Sequence, residues 1–407
     1  MTDMQSDLDA VAELDPWRDG EPVQYETMRV LRERCPVSPG PMGMYYVARY
    51  DDVDEVFRDF ERFPSRGGMR MPGVELQPAE QLINERDGGH HQRLRRLMQS
   101  ALKMRQIRAT APYIEQLARE LVGKLVATGG GDVVSELTMI LPSKVIAHLL
   151  GVPETDHAQF KAWSDEVVSS TWPMTNATER GVGFAASFPE FTGYIDGLLQ
   201  ERRASDNPPD DFLTRLLQAR DEDGEPLADL EMWLTTAHLL YAGNETTQNL
   251  IGNLLYELAR DPALYQRLRT DRSLLPPAIE ESLRHDPPVT MLTRAAAEPV
   301  CLRGVDIEPG ERVVVGISSA NRDEQVFTDP DRYDIDRPNT ARHLAFGKGA
   351  HLCLGNELAR LEAKVTMDVF FGLVSAISFE PGFTYEKIPV WWVNGPVSLR
   401  LRMSAAR

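Results

Sequence analysis

Cysteine is nearly absent: the 407 residues hold only Cys35, Cys301 and Cys353. Three distant thiols, odd in number, exclude a disulfide framework and suit a reducing compartment. Positive charge is in deficit too, with 44 Lys and Arg against 62 Asp and Glu and a formal charge of −18. That balance excludes the broad basic footprint that nucleic acid requires. Long hydrophobic runs are missing. The longest, VFFGLVSAI at 369–377, falls well short of the about 20 apolar residues of a membrane span. The opening MTDMQSDLDAVAELDPW is acidic, with no cationic stretch leading into an apolar one, so no signal peptide is read there. Nor is there a CxxC or paired Cys/His spacing for zinc, a P-loop, or an iron–sulfur pattern. GVGFAA at 181–186 follows TNATER rather than a strand, which removes it as a dinucleotide loop. A cytoplasmic protein without membrane anchor or nucleic-acid partner is expected, acting as a monomer.

What is present is mostly helix. HQRLRRLMQSAL, YIEQLARELVGKLVA and LEMWLTTAHLLYAGNETTQNLIGNLLYELAR carry apolar residues three and four apart. The last is apolar on several faces and stops before Asp261-Pro262, which predicts a helix through the protein interior. MYYVAR, RVVVGIS and VSLRLRM read as strands. Breaks at 64–80 and 202–211 separate no two self-sufficient segments. The fold class is therefore mainly α with small β-sheets (α+β), one domain over 1–407 with no fused reductase.

The stretch AFGKGAHLCLG at 345–355 sets Cys353 among three glycines. A nucleophile needs an oriented base, and His351, two residues away, lacks a third group to aim it. Zinc needs companions that the sequence does not supply. By itself the residue reads as an inert buried thiol. Its surroundings reverse that reading. Gly347, Gly349 and Gly355 let the backbone approach a flat object, Phe346 offers a ring, and the helix after Cys353 turns its N–H groups and positive dipole end toward the sulfur. Such a setting stabilises a thiolate. One thiolate without further protein ligands suits an iron whose other positions are filled, as in haem.

FGKGAHLCLG closely resembles the haem-binding signature of the cytochrome P-450 superfamily, in its bacterial form. The resemblance runs from about LRERCPVS (31–38) to NGPVSLRLRM (394–403). It implies the P-450 fold, a triangular helical domain around a buried haem b, with Cys353 as iron ligand and Phe346 and Gly347 in the cofactor loop. It implies a structural Glu-x-x-Arg pair completed by an arginine. Glu26/Arg29, Glu55/Arg58, Glu257/Arg260, Glu281/Arg284 and Glu357/Arg360 all fit the spacing. Only Glu281/Arg284, in LPPAIEESLRHDPPV, has the family's context, with Arg337 of FTDPDRYDIDRP as the third member. His91, Arg95, Arg294 and His351 fall where the family binds the haem propionates. AGNETTQN resembles the dioxygen motif, with Glu245 relaying protons and Thr246 positioning dioxygen and a water. By the same analogy Met69, Met71, Leu76, Trp172, Met174, Ala242, Val289, Met291, Leu292, Trp391 and Trp392 line an apolar substrate pocket.

The function so implied is monooxygenation of a terpenoid, steroid, fatty acid or polyketide-like molecule. Electrons would come from a separate ferredoxin and ferredoxin reductase, docking on a basic patch of Arg93, Arg96, Arg105, Lys348 and Arg360. Two alternatives are a peroxide-driven peroxygenase, which the Glu245–Thr246 pair argues against, and a non-catalytic haem sensor or carrier.

Overall fold

The computed structural model describes residues 25–40, 43–68, 78–171, 184–390 and 392–406. Met69, Met71, Leu76, Trp172, Met174 and Trp391 lie outside them. The chain forms two compact units, one of Met1–Pro64, Ile114–Leu141 and Thr246–Arg407, the other of Ser65–Tyr113 and Pro142–Glu245.

The first unit holds all the described strands. These are β1 (Val37–Pro39), β2 (Met44–Val47), β3 (Gly130–Asp132), β4 (Leu292–Ala295), β5 (Val300–Leu302), β6 (Val305–Ile307), β7 (Arg312–Val315), β8 (Val374–Phe379) and β9 (Arg400–Ala405). One sheet runs β1-β2-β7-β4, a second β3-β9-β8, and β5-β6 pair alone. Within the first sheet β7 lies parallel to β2 and antiparallel to β4. Val313, Val314 and Val315 are all buried, as a central strand with both faces covered requires. The strand expected over RVVVGIS ends early, and Ile317–Ala320 turns into a short helix. Between them Gly316 passes close to β2, where a Cβ would stand 2.4 Å from the Tyr46 hydroxyl and 2.8 Å from the Val47 carbonyl oxygen.

Helices make up the second unit. Its 202–211 break is no free linker. Arg202 and Asp211 form a buried pair across it, Arg202 Nη2 donates 3.0 Å to the Gly151 carbonyl, and Asp211 caps the next helix through Thr214 N. The long helix spans Asp229–Arg260, 32 residues. It opens with Asp229 and Glu231 and closes on Arg260, charges that complement its dipole. Asp261 then caps the following helix at Ala263 N and Leu264 N, with Pro262 at its first position. Among the described residues no helix is long and apolar enough to cross a membrane.

Candidate functional site: the Cys353 loop and its supports

The cysteine loop is built on two left-handed glycines, Gly347 (φ +67°) and Gly349 (φ +68°). At Gly349 the fit is absolute, since a Cβ would meet the Phe57 carbonyl oxygen at 2.5 Å and Arg58 Cα at 3.1 Å. A side chain there would push the loop off the Tyr50–Arg58 helix. The loop closes on itself where Cys353 N donates to the Phe346 carbonyl at 2.9 Å. Cys353 is exposed, and Leu352 beside it keeps 40% of its surface open. Immediately after them, Gly355 stands at the N-terminal end of the Asn356–Leu373 helix, whose free N–H groups favour a negative sulfur.

Beneath the loop lies the Leu275–His285 helix. Glu281 and Arg284 on it have no exposed surface and pair bidentately, Nε to Oε2 and Nη2 to Oε1 at 2.8 Å each. Arg284 also donates to the carbonyls of Asn321 (3.0 Å), Pro330 (2.8 Å) and Arg332 (3.1 Å). Arg337 Nε reaches Glu281 at 3.4 Å, and Thr340 Oγ1 donates to its other oxygen at 3.3 Å. Asn321 passes the support upward, its Oδ1 accepting from Leu344 N at 2.7 Å.

Sequence reasoning missed a second brace. Glu280, next to Glu281, accepts from Arg360 Nε at 2.7 Å and from His343 Nε2 at 3.0 Å. His343 Nδ1 accepts from Ala345 N, which fixes the tautomer with the proton on Nε2. Arg360 in turn lies 4.6 Å above the Phe346 ring. So Phe346 is held by a cation anchored on the helix below, and the Cys353 sulfur adds to the negative field on that cation. The signal was present as Arg360, within a Glu-x-x-Arg match that lacks the family's context.

Burial by itself would raise the Glu280 carboxyl, but the bonds from His343 and Arg360 outweigh it and hold the pKa at about 2. The group is depressed on folding, so its contribution is complete above the ordinary value of 4.5 and is lost as pH falls toward 2. The full shift corresponds to about 3 kcal/mol. Acid unfolding of the Glu280→Gln variant, followed by far-ultraviolet dichroism, should show a shallower pH dependence in that window than the parent. Parallel curves would refute the brace.

Other predicted residues fall as follows. Arg294 on β4 is 3% exposed, donates Nη1 to the Thr293 carbonyl at 2.8 Å and lies 5.6 Å from the Phe57 ring. His351 ends the turn Gly349–His351. In the second unit, His91 is 2% exposed on the Gly88–Ala101 helix, with half-buried Arg95 one turn on. Glu245 and Thr246 are half-buried on the long helix, and burial raises the Glu245 carboxyl above its ordinary range. The long helix runs unbroken through Gly243, where a Cβ would lie 2.7 Å from Ile146 Cδ1.

Of the pocket residues, Met291 is buried in a cluster with Met28, Leu31 and Met44, against which Trp392 packs. It serves the core, because its neighbours leave it 3% exposed. Val289 and Leu292 pack on the cluster around Val313 and Val315, and Ala242 is half-buried on the long helix. The basic patch is largely neutralised within the chain. Arg93 pairs with Asp221 and Glu231, Arg96 with Glu222, Lys348 with Asp54 and Arg360 with Glu280. Arg105 is exposed. An acid-rich surface offers each cation a nearby carboxylate.

Haem fits this donor set. The one group of three close metal-ligand side chains among the described residues is Glu257, His285 and Asp286, which excludes Cys353. That trio is an ion network: Lys387 and His285 reach Asp286 at 3.0 and 2.6 Å and, against its burial, hold it well below the usual range. Cys353 is outside that trio, a soft donor on a loop whose glycines admit a flat ligand, and Arg294 on β4 is a buried cation of the charge a haem carboxylate pairs with. A thiolate so presented defines a haem-thiolate protein.

The chain belongs to the cytochrome P450 family, whose model matches residues 24–371. It is 38% identical over 355 residues to the cytochrome P450 monooxygenase PikC of Streptomyces venezuelae, covering 84% of this chain and 82% of that one. To the 6-deoxyerythronolide B hydroxylase of Saccharopolyspora erythraea it is 35% identical over 370 residues, 87% and 89% of the two chains. The crystal structure of CYP109E1 from Bacillus megaterium in complex with testosterone superposes with a TM-score of 0.82 at 34% identity, over 93% and 98% of the chains. The protein is thus a haem-dependent oxygenase that binds protoporphyrin IX.

Proposed function

We propose that the chain acts as one cytoplasmic monooxygenase domain, supplied with electrons by a ferredoxin and its reductase, that places one oxygen atom on a lipophilic polyketide- or steroid-like molecule. The observation that carries this reading is the Glu245–Thr246 pair, a carboxyl lifted by burial beside a hydroxyl on the long helix. A carboxyl so lifted holds its proton closer to neutral pH, as a proton donor must. This argues against a peroxygenase, which has no bound dioxygen to protonate. A relative named 6-deoxyerythronolide B hydroxylase and a structural neighbour crystallised with testosterone support the substrate class.

In this reading Cys353 supplies the iron ligand, with Gly347 and Phe346 shaping the loop around it. His91, Arg95, Arg294 and His351 pair with the haem carboxylates, and Glu281, Arg284 and Arg337 brace the loop from below. Bound haem supplies the activation of dioxygen. Thr246 orients a water with its hydroxyl, and Glu245 passes a proton to it.

Replacing Thr246 by alanine should leave substrate binding intact and divert electrons. With a ferredoxin system, hydrogen peroxide released per reduced nicotinamide consumed should rise several-fold while product falls. Unchanged coupling would set aside the proton-delivery role, whereas absence of product from parent and variant alike would favour a sensor or carrier.

A further inference from the structure

Each nitrogen of the Arg360 guanidinium donates to a neighbour. Nε and Nη2 reach the two oxygens of Glu280 at 2.7 and 3.0 Å, and Nη1 reaches Asn356 Oδ1 at 2.8 Å. Asn356 in turn donates Nδ2 to the Cys353 carbonyl at 2.6 Å. The guanidinium lies 4.6 Å above the Phe346 ring, and Phe346 supplies the carbonyl that accepts from Cys353 N. Three links thus hold one positive charge in a fixed place beside the cysteine loop.

Two carboxylates flank this cation, and they differ. Glu280 is half-buried and bidentate. Glu357 meets Nη1 at 3.4 Å with 47% of its side chain in water, which screens its charge. The Cys353 sulfur is among the negative groups whose field bears on Arg360, whereas the groups that act most on Glu280 are His343 and Arg360. The positive end of the Arg360–Glu280 pair is therefore the end that the sulfur acts on.

We propose that Arg360 sets the reduction potential of the bound haem, raising it with a positive charge held beside the Cys353 thiolate, while Glu280 fixes and partly offsets that charge. This rests on Cys353 as the iron ligand and adds a residue that acts through it. Uptake of one electron makes the iron and its ligands one unit more negative. A fixed cation in a partly buried setting favours that state, so a donor of given potential reduces the iron more readily.

The test is spectropotentiometry of the haem-loaded, substrate-free protein, with a carbon monoxide spectrum of each reduced form. Arg360→Met keeps an apolar chain over Phe346 and removes the charge. The ratio of reduced to oxidised iron at a fixed applied potential should fall about tenfold, a downward midpoint shift of about 59 mV for one electron. Glu280→Gln keeps an acceptor oxygen for Arg360 and removes the counter-charge, so its midpoint should move upward. Arg360→Lys retains the charge and should retain most of the parent midpoint, and Glu357→Gln should leave it unmoved. A purely mechanical brace predicts instead that Arg360→Met and Glu280→Gln shift the midpoint in the same direction. That outcome, or an unmoved midpoint in Arg360→Met, overturns the proposal. Should Arg360→Met fail to hold haem, the Glu280→Gln shift decides: upward supports the proposal, and downward or none overturns it. A parent without the thiolate-type carbon monoxide spectrum would defeat the reading of Cys353 itself, whereas that spectrum with unmoved midpoints defeats only the role of Arg360.

Discussion

Replacement of Cys353 by serine is expected to remove the thiolate-type carbon monoxide spectrum of the reduced protein and to abolish product formation. Loss of a partner that merely orients a metal ligand costs 10- to 100-fold, so loss of the ligand itself should exceed about a hundredfold. A serine hydroxyl stays protonated at neutral pH and is a far poorer ligand to iron than a thiolate, and the electron donation that assists O–O cleavage goes with the sulfur. The loop should survive, because its shape rests on Gly347, Gly349 and the Cys353 N to Phe346 O bond, none of which needs sulfur. The measurement is difference spectroscopy on purified protein, with far-ultraviolet dichroism to confirm the fold. A spectrum unaltered by the substitution would mean that another residue holds the iron.

The second large effect is expected at Arg284. Substitution by leucine deletes five donated hydrogen bonds and leaves Glu281, without exposed surface, short of its bidentate partner. Breaking a buried pair in this way costs about 3–5 kcal/mol. Arg284→Lys should not rescue it, because an ammonium cannot reproduce the planar fork. The lost support reaches the cysteine loop through Asn321 and Leu344, so haem content per chain should fall along with the urea midpoint. The control is Arg29→Leu, which removes a pair of identical spacing with side chains 41% and 75% exposed. It should not move the midpoint measurably. Equal behaviour of the two variants would refute the bracing role.

That contrast marks how far the sequence could be read. Helix periodicity located the long helix to within a residue of its end, because Asp261 and Pro262 are local signals. Glycines 347 and 349 pointed to a sharp loop, and both have positive φ. The strand read over RVVVGIS formed at Arg312–Val315 but not beyond, and the close approach of Gly316 to Tyr46, distant in sequence and adjacent in the sheet, had no local signal. The Glu280–His343–Arg360 brace escaped notice for the same reason. Its members are far apart in the chain, and each is ordinary on its own helix or turn.

By itself, the order of residues determined the helical class, the cysteine loop and the iron-binding chemistry, since each rests on neighbours within a few positions. Burial was decided only by the folded chain. Of the five Glu-x-x-Arg matches, Glu26/Arg29 and Glu357/Arg360 lie at the surface, Arg58 pairs with Asp54 instead of Glu55, and Arg260 keeps 54% of its side chain in water. Glu281/Arg284 alone is sealed from solvent at both ends. Spacing fixes which side chains can meet, but the dielectric around them, which sets what the meeting is worth, comes from everything else packed on top.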